Sequence, residues 1–198
     1  MSLNHIPQER FSYDAYIELV KQLVEKRQTT GPDQSSFLAN FTALNLVRMQ
    51  RIGKMITLKK SLLTKLSQLK RQYVFTVITE AWCGDAAQIL PVIAKIAEAN
   101  PSQIDLFIVL RDSNTDYMDQ YLTNGARGIP KLIIYDVAEN KEILNWGPRP
   151  KELQLYIESL KVMGLSKEEW IEKVMLWYTK DKTKTTQDEL EEAIGTLQ

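Results

Sequence analysis

The chain carries one cysteine, Cys83, and one histidine, His5. A lone cysteine excludes an intrachain disulfide, so nothing argues for an oxidising compartment, and the cytoplasm is the expected location. His5 lies far from Cys83 in sequence and reads as a solvated surface residue, so neither a zinc site nor a Cys–His nucleophile pair is expected. No glycine-rich phosphate loop is present, and neither a metal nor another cofactor is expected. Long apolar runs are also missing: none reaches the length of a membrane span, which excludes a membrane partner at this level. The first residues, MSLNHIPQERF, lack the apolar core of a secretory signal. No repeat recurs along the chain.

Acidic residues are absent from Gln34 to Thr79, where Arg48, Arg51, Lys54, Lys59, Lys60, Lys65, Lys70 and Arg71 all carry positive charge. The formal net charge is nevertheless +0, because the remainder is acidic, most densely in DELEEA near the end. No nucleic-acid motif accompanies the basic stretch. It reads as a solvated helical face or a helical pair docked on the acidic part of the same molecule.

Periodicity divides the chain into three segments. Residues 1–71 predict three helices packed as an extension on the core. Ser12 caps the first, and Ser35 or Ser36 starts the second, with Phe37, Phe41, Leu44 and Val47 or Arg48 along its apolar side. Thr57 caps the third, which carries Leu58, Leu62, Leu66 and Leu69. Residues 72–161 change period. YVFTVITEAW reads as a buried strand, and residues 84–99 as a helix. IDLFIVL is a strand, DYMDQYL a short helix, and KLIIYDV with EILNW an antiparallel hairpin before a helix from Lys151. The whole predicts an α/β fold, a mixed sheet with helices on both faces. In residues 162–198, Ser166 and Glu169 form a capping-box pattern for a helix with an apolar packing face. KDKTKTT reads as a polar connector, and QDELEEAIGTL as a short helix or frayed tail.

The segment WCGDAAQILP resembles the active-site segment of thioredoxins, with Trp82, Cys83 and Gly84 in place and Pro91 at the helix-kinking position. RGIPKLIIYD resembles the loop whose proline is cis in that family, which makes Pro130 the expected cis residue beside Ile129. Gly147 in NWGPRP matches a third landmark. The flanks NLVRMQR and WGPRP resemble a bacterial subgroup with a helical N-terminal extension. The resemblance implies a groove beside Cys83 walled by Trp82, Gly84, Asp85, Ala86, Ile129, Pro130, Trp146, Gly147 and Arg149. Such a groove would hold a disulfide-containing protein or a low-molecular-weight thiol.

Two departures limit what that groove can do. Ala86 stands where the family has its resolving cysteine, so Cys83 would act alone and need an external thiol to release an adduct. Val77 stands where the family buries an aspartate that assists proton transfer. A thiol in the first turn of a helix is favoured as thiolate by the helix dipole, whereas the charge of Asp85 opposes ionisation. The helix position is expected to win and hold Cys83 below the free value. Arg149 is expected to face the same groove, and Glu80 can be read as buried or exposed. Two functions remain open: a redox protein acting through one catalytic thiol, and a binding module without turnover.

Overall fold

A computed structural model describes residues 1–197. Strands β1 (Tyr73–Thr79), β2 (Ile104–Leu110), β3 (Lys131–Asp136) and β4 (Lys141–Trp146) form one sheet in the order β2-β1-β3-β4. β1 and β2 are parallel, and β3 runs antiparallel to both β1 and β4. The helices are α1 (Tyr13–Glu25), α2 (Ser36–Met55), α3 (Lys60–Ser67), α4 (Gly84–Ala99), α5 (Thr115–Met118), α6 (Lys151–Val162), α7 (Lys167–Asp181) and α8 (Lys184–Ile194). None of them is long and apolar enough to cross a membrane.

Every residue of β1 is buried, and its side chains alternate between two cores. Tyr73, Phe75 and Val77 join Ile89, Leu90, Ile93 and Ile96 of α4 on one face. Val74 and Ile78 join Tyr117, Met118, Ile133 and Tyr135 on the other. This period of two is what a strand covered on both faces requires. Burial of each large apolar side chain contributes about 1.5–3 kcal/mol before the entropy of ordering is counted. β1 ends where the chain turns into α4, and that places Cys83 at the C-terminal edge of the sheet.

α2 departs from its expected orientation. Its buried side carries Ala39, Thr42, Asn45, Leu46 and Met49, whereas Phe37, Leu44 and Val47 are exposed. Polar residues can face inward because each has a partner. The Thr42 hydroxyl is bonded to that of Thr29, and Asn45 donates its amide to the carbonyl of Ala81 (3.0 Å). A paired buried polar group costs little, and this one ties α2 to the loop before Cys83.

The first helix is capped as expected by Ser12, whose hydroxyl accepts the Ala15 amide (3.2 Å), and the second by Ser35. Thr57 does not cap α3; Lys59 holds that position without a side-chain bond. Lys59 also ion-pairs with Asp188 of α8, and its backbone amide donates to Gln187 (2.9 Å). The expected connector KDKTKTT contracts to two residues. Lys182 and Thr183 both adopt positive φ, and Lys184 already begins α8. α8 is a docked helix, because Leu190 and Ile194 insert into the main core. The basic stretch therefore does two jobs: Lys59 and Lys65 meet acidic residues of α8, while Arg48 lies elsewhere.

Since α8 completes the core, Leu190→Ala should cost about 2–5 kcal/mol, the usual range for a buried leucine. Chemical denaturation checks this, and a loss under 1 kcal/mol would mean that the helix is an ornament.

Candidate functional site

Cys83 is the N-cap of α4, and its sulfur accepts the amide of Ala86 (3.5 Å). Its thiol donates to the carbonyl of Ile129 (3.4 Å), the residue before Pro130. The Ile129–Pro130 peptide is cis, and so is Gly147–Pro148, which carried no signal in the sequence. The loop is tied behind the cysteine by Lys131, whose buried ammonium donates to Thr123 (2.8 Å) and to the Gly147 carbonyl (3.0 Å). Gly147 has φ +113°, and a Cβ there would stand 2.5 Å from the Pro130 carbonyl. Only glycine fits that close approach.

Asp85 is the second residue of α4 and is 7 % exposed. One of its oxygens accepts from the Arg149 guanidinium (2.9 and 2.6 Å), and the other accepts the Tyr178 hydroxyl (2.9 Å). Arg149 thus reaches the cysteine side of the molecule, as its place after β4 suggested. Tyr178 comes from α7 and was not legible as a site residue. Its phenol is pushed well above its ordinary value by burial and by the Asp85 carboxylate, so it remains a donor.

The expectation for the thiol is reversed. Cys83 is 6 % exposed, and burial pushes it up to about 12, with Asp85 adding to the rise. The Ala86 amide and Arg149 pull the other way and are outweighed. The helix start supplies hydrogen bonds but not water, and desolvation of a thiolate costs more than the dipole returns. Glu80, 0 % exposed, lies nearby with one oxygen accepting the Asp112 amide (2.8 Å). Burial raises its pKa, against the pull of the Thr30 hydroxyl and the Asp112 amide. Val77, at the position of the family's buried aspartate, is a core residue.

A cleft of about 280 Å³ opens above the cysteine. Trp82, Cys83, Gly84, Asp85, Ile129 and Arg149 line it, together with Arg48, Arg111, Phe37, Phe41 and α7 residues Trp170 and Met175. Ala86, Pro130, Trp146 and Gly147 are not among its walls. Ala86 packs inward, and Pro130 is buried behind the carbonyl of Ile129. Trp146 instead donates its indole N–H to Glu189 of α8 (2.7 Å), which turns it from the cleft. The apolar face of α7 does pack, as expected, but it packs over the site. Met175 lies 3.5 Å from where a Gly84 Cβ would stand, so the segment that approaches Gly84 closely is the chain's own helix. The exposed aromatic side of α2 was legible only as a core stripe, and it became a cleft wall when Thr42 and Asn45 took the interior.

A four-stranded mixed sheet, a cysteine capping the helix after its first strand and a facing cis-proline define the thioredoxin class of fold. The thioredoxin family model matches residues 31–161, and the chain belongs to that family. A protein of unknown function from Pseudomonas aeruginosa is similar to it in structure, with a TM-score of 0.54 at 21% identity over 93% of each chain. An HIV epitope scaffold is similar at TM-score 0.52 and 20% identity, over 93% of this chain and 94% of that one. At this identity the likeness concerns the fold alone. Comparison with curated proteins found no match.

Alkylation of Cys83 should be slow at pH 7, by roughly three thousand-fold against a free cysteine of ordinary pKa near 8.5. The rate should climb about tenfold per pH unit through pH 10, since the thiolate fraction rises by that factor below the pKa. Asp85→Asn should accelerate it by removing like charge and leaving Arg149 facing the sulfur. A rate that levels off near pH 7 would show an activated thiolate instead.

Proposed function

We propose that the protein is a thiol redox protein of the thioredoxin fold that works through Cys83 alone, in a reducing compartment such as the cytoplasm. The observation that carries this reading is the position of the sulfur: it caps α4, faces the carbonyl before cis-Pro130, and forms the floor of an accessible cleft. The chemistry is exchange. Cys83 loses its proton and attacks one sulfur of a small disulfide; the S–S bond breaks, and the departing thiolate takes up a proton. A second, external thiol then attacks the outer sulfur of the mixed disulfide, restores the Cys83 thiol and leaves as a new disulfide with the group that Cys83 carried, so that in each cycle one disulfide exchanges one of its halves for one external thiol. Ala86 leaves no internal route for the second step.

A second reading, a binding module without turnover, is favoured by one observation: the thiol is buried and held protonated by a pKa near 12. In that reading the cleft holds a partner and the cysteine is a wall.

Two measurements separate the readings. Insulin reduction driven by dithiothreitol should stay near background for the wild type, because α7 covers the approach and no resolving cysteine exists, while Ala86→Cys should gain partial activity. Incubation with a small disulfide at pH 9 should give a mass increase on Cys83 that an added thiol reverses, and Cys83→Ser should show none. Absence of any adduct at pH 9 from folded protein would leave the binding module standing.

A further inference from the structure

The cleft over Cys83 carries more charge than thiol exchange requires. Five cations line it, Arg48, Arg111, Arg127, Arg149 and Lys167, against the single carboxylate of Asp85. Three of these cations are already matched. Arg149 is bound to Asp85, Arg111 to Asp112 (2.7 Å), and Arg127 to Asp119 through two bonds (2.6 and 2.8 Å). Arg48 and Lys167 have no carboxylate partner among the described residues.

Arg48 is the more informative of the two. It projects from α2, is half-buried, and donates to the side-chain oxygen of Asn45 (3.0 Å), its one hydrogen bond among the described residues. Asn45 is itself fixed by the Ala81 carbonyl, so the guanidinium is aimed by a rigid partner. Burial and the neighbouring Arg51 both disfavour its charged form. A cation desolvated without a counter-ion is costly, and a site that keeps one in place has room for an anion. The fork of donors on arginine matches a carboxylate through two parallel bonds.

The walls between these cations are aromatic. Phe37 and Phe41 stand 4.9 Å apart between ring centres, and Phe37 is 56% exposed. Trp170 of α7 lines the same cleft, and Trp82 is held beneath the guanidinium of Arg111 at 4.8 Å. At about 280 Å³ the cleft falls near the lower end of small-molecule sites, which run from about 300 to 1,000 Å³. α7 crosses the side from which an extended chain would reach Gly84.

We infer that the cleft between α2 and α7 is a binding site for a small organic carboxylate with a flat apolar body, its anionic group on Arg48 and Lys167 and its body between Phe37, Phe41 and Trp170. The site is defined by the cleft alone and stands whether or not Cys83 turns over.

Calorimetric titration with 2-naphthoate and with its neutral counterpart 2-naphthamide tests the assignment. The carboxylate should bind at least tenfold more tightly than the amide, and the difference should shrink as salt is raised. Arg48→Gln should remove most of that difference while circular dichroism and the melting temperature stay near wild type; Phe41→Ala should weaken both ligands. Equal affinity for acid and amide, no binding of either, or a preference unchanged in folded Arg48→Gln would each overturn the inference. Retained naphthoate binding without a Cys83 adduct would sink thiol exchange and leave the carboxylate site intact. Adduct formation without a carboxylate preference would do the reverse.

Discussion

Asp85 is a carboxylate taken out of water at the start of α4, and the surrounding architecture answers that one burial. Arg149 is delivered by the turn that follows β4, and Tyr178 by the last turn of α7. Each occupies one carboxylate oxygen, and Arg149 is steadied in turn by Gln154 of α6 (3.4 Å). Segments separated by 64 and 93 positions in sequence therefore meet at Asp85, two residues past Cys83. A buried ion pair adds little against an apolar alternative, but losing one partner leaves a charge uncompensated at about 3–5 kcal/mol. The network acts as a lock on position. It fixes how far α7 can stand from the cysteine, and so sets the width of the cleft.

Burial likewise explains why the thiol stays protonated at neutral pH. In a groove open to water, the amides at the start of α4 would stabilise a thiolate. Here Ile129 and Trp82 pack against the cysteine and exclude that water, and the nearby charge of Asp85 is negative. Arg149 is already engaged by Asp85 and can give only part of its field to sulfur. The cysteine therefore retains the fold's position, while its surroundings keep the sulfur protonated at neutral pH and make exchange slow.

Much of this was legible in the chain. Strand and helix bounds from Tyr73 to Lys161 follow from β-branched runs, the period of α4 and the hairpin turn. Cys83, Pro130 and Gly147 fall where the family landmarks put them. What stayed hidden depended on pairing between distant segments. The phenylalanines of α2 carry a helical period, but no pattern reveals that Thr42 and Asn45 will find buried partners and take the interior. Tyr178 and Met175 look like any packing face until α7 is seen to fold back. Trp146 and Glu189 are unremarkable apart, and their bond is what turns the indole away. Desolvation of Cys83 is likewise a property of what covers it, not of its neighbours in sequence.

The two-residue joint between α7 and α8 has a mechanical meaning. Lys182 and Thr183 hold positive φ without being glycine, a conformation that side chains of this kind resist. α8 is anchored on α3 and the segment before it, where Gln187 bonds to Thr57 and Lys59, and Ser61 donates to Glu191. So short a joint leaves no slack. α7 cannot swing away from Cys83 unless the joint changes its backbone conformation or α8 is drawn off α3, so the helix behaves as a fixed wall and not as a hinged door. The dimensions of the mouth between α2 and α7 then act as a sieve for molecules approaching the sulfur, set by the docking of α8 on α3.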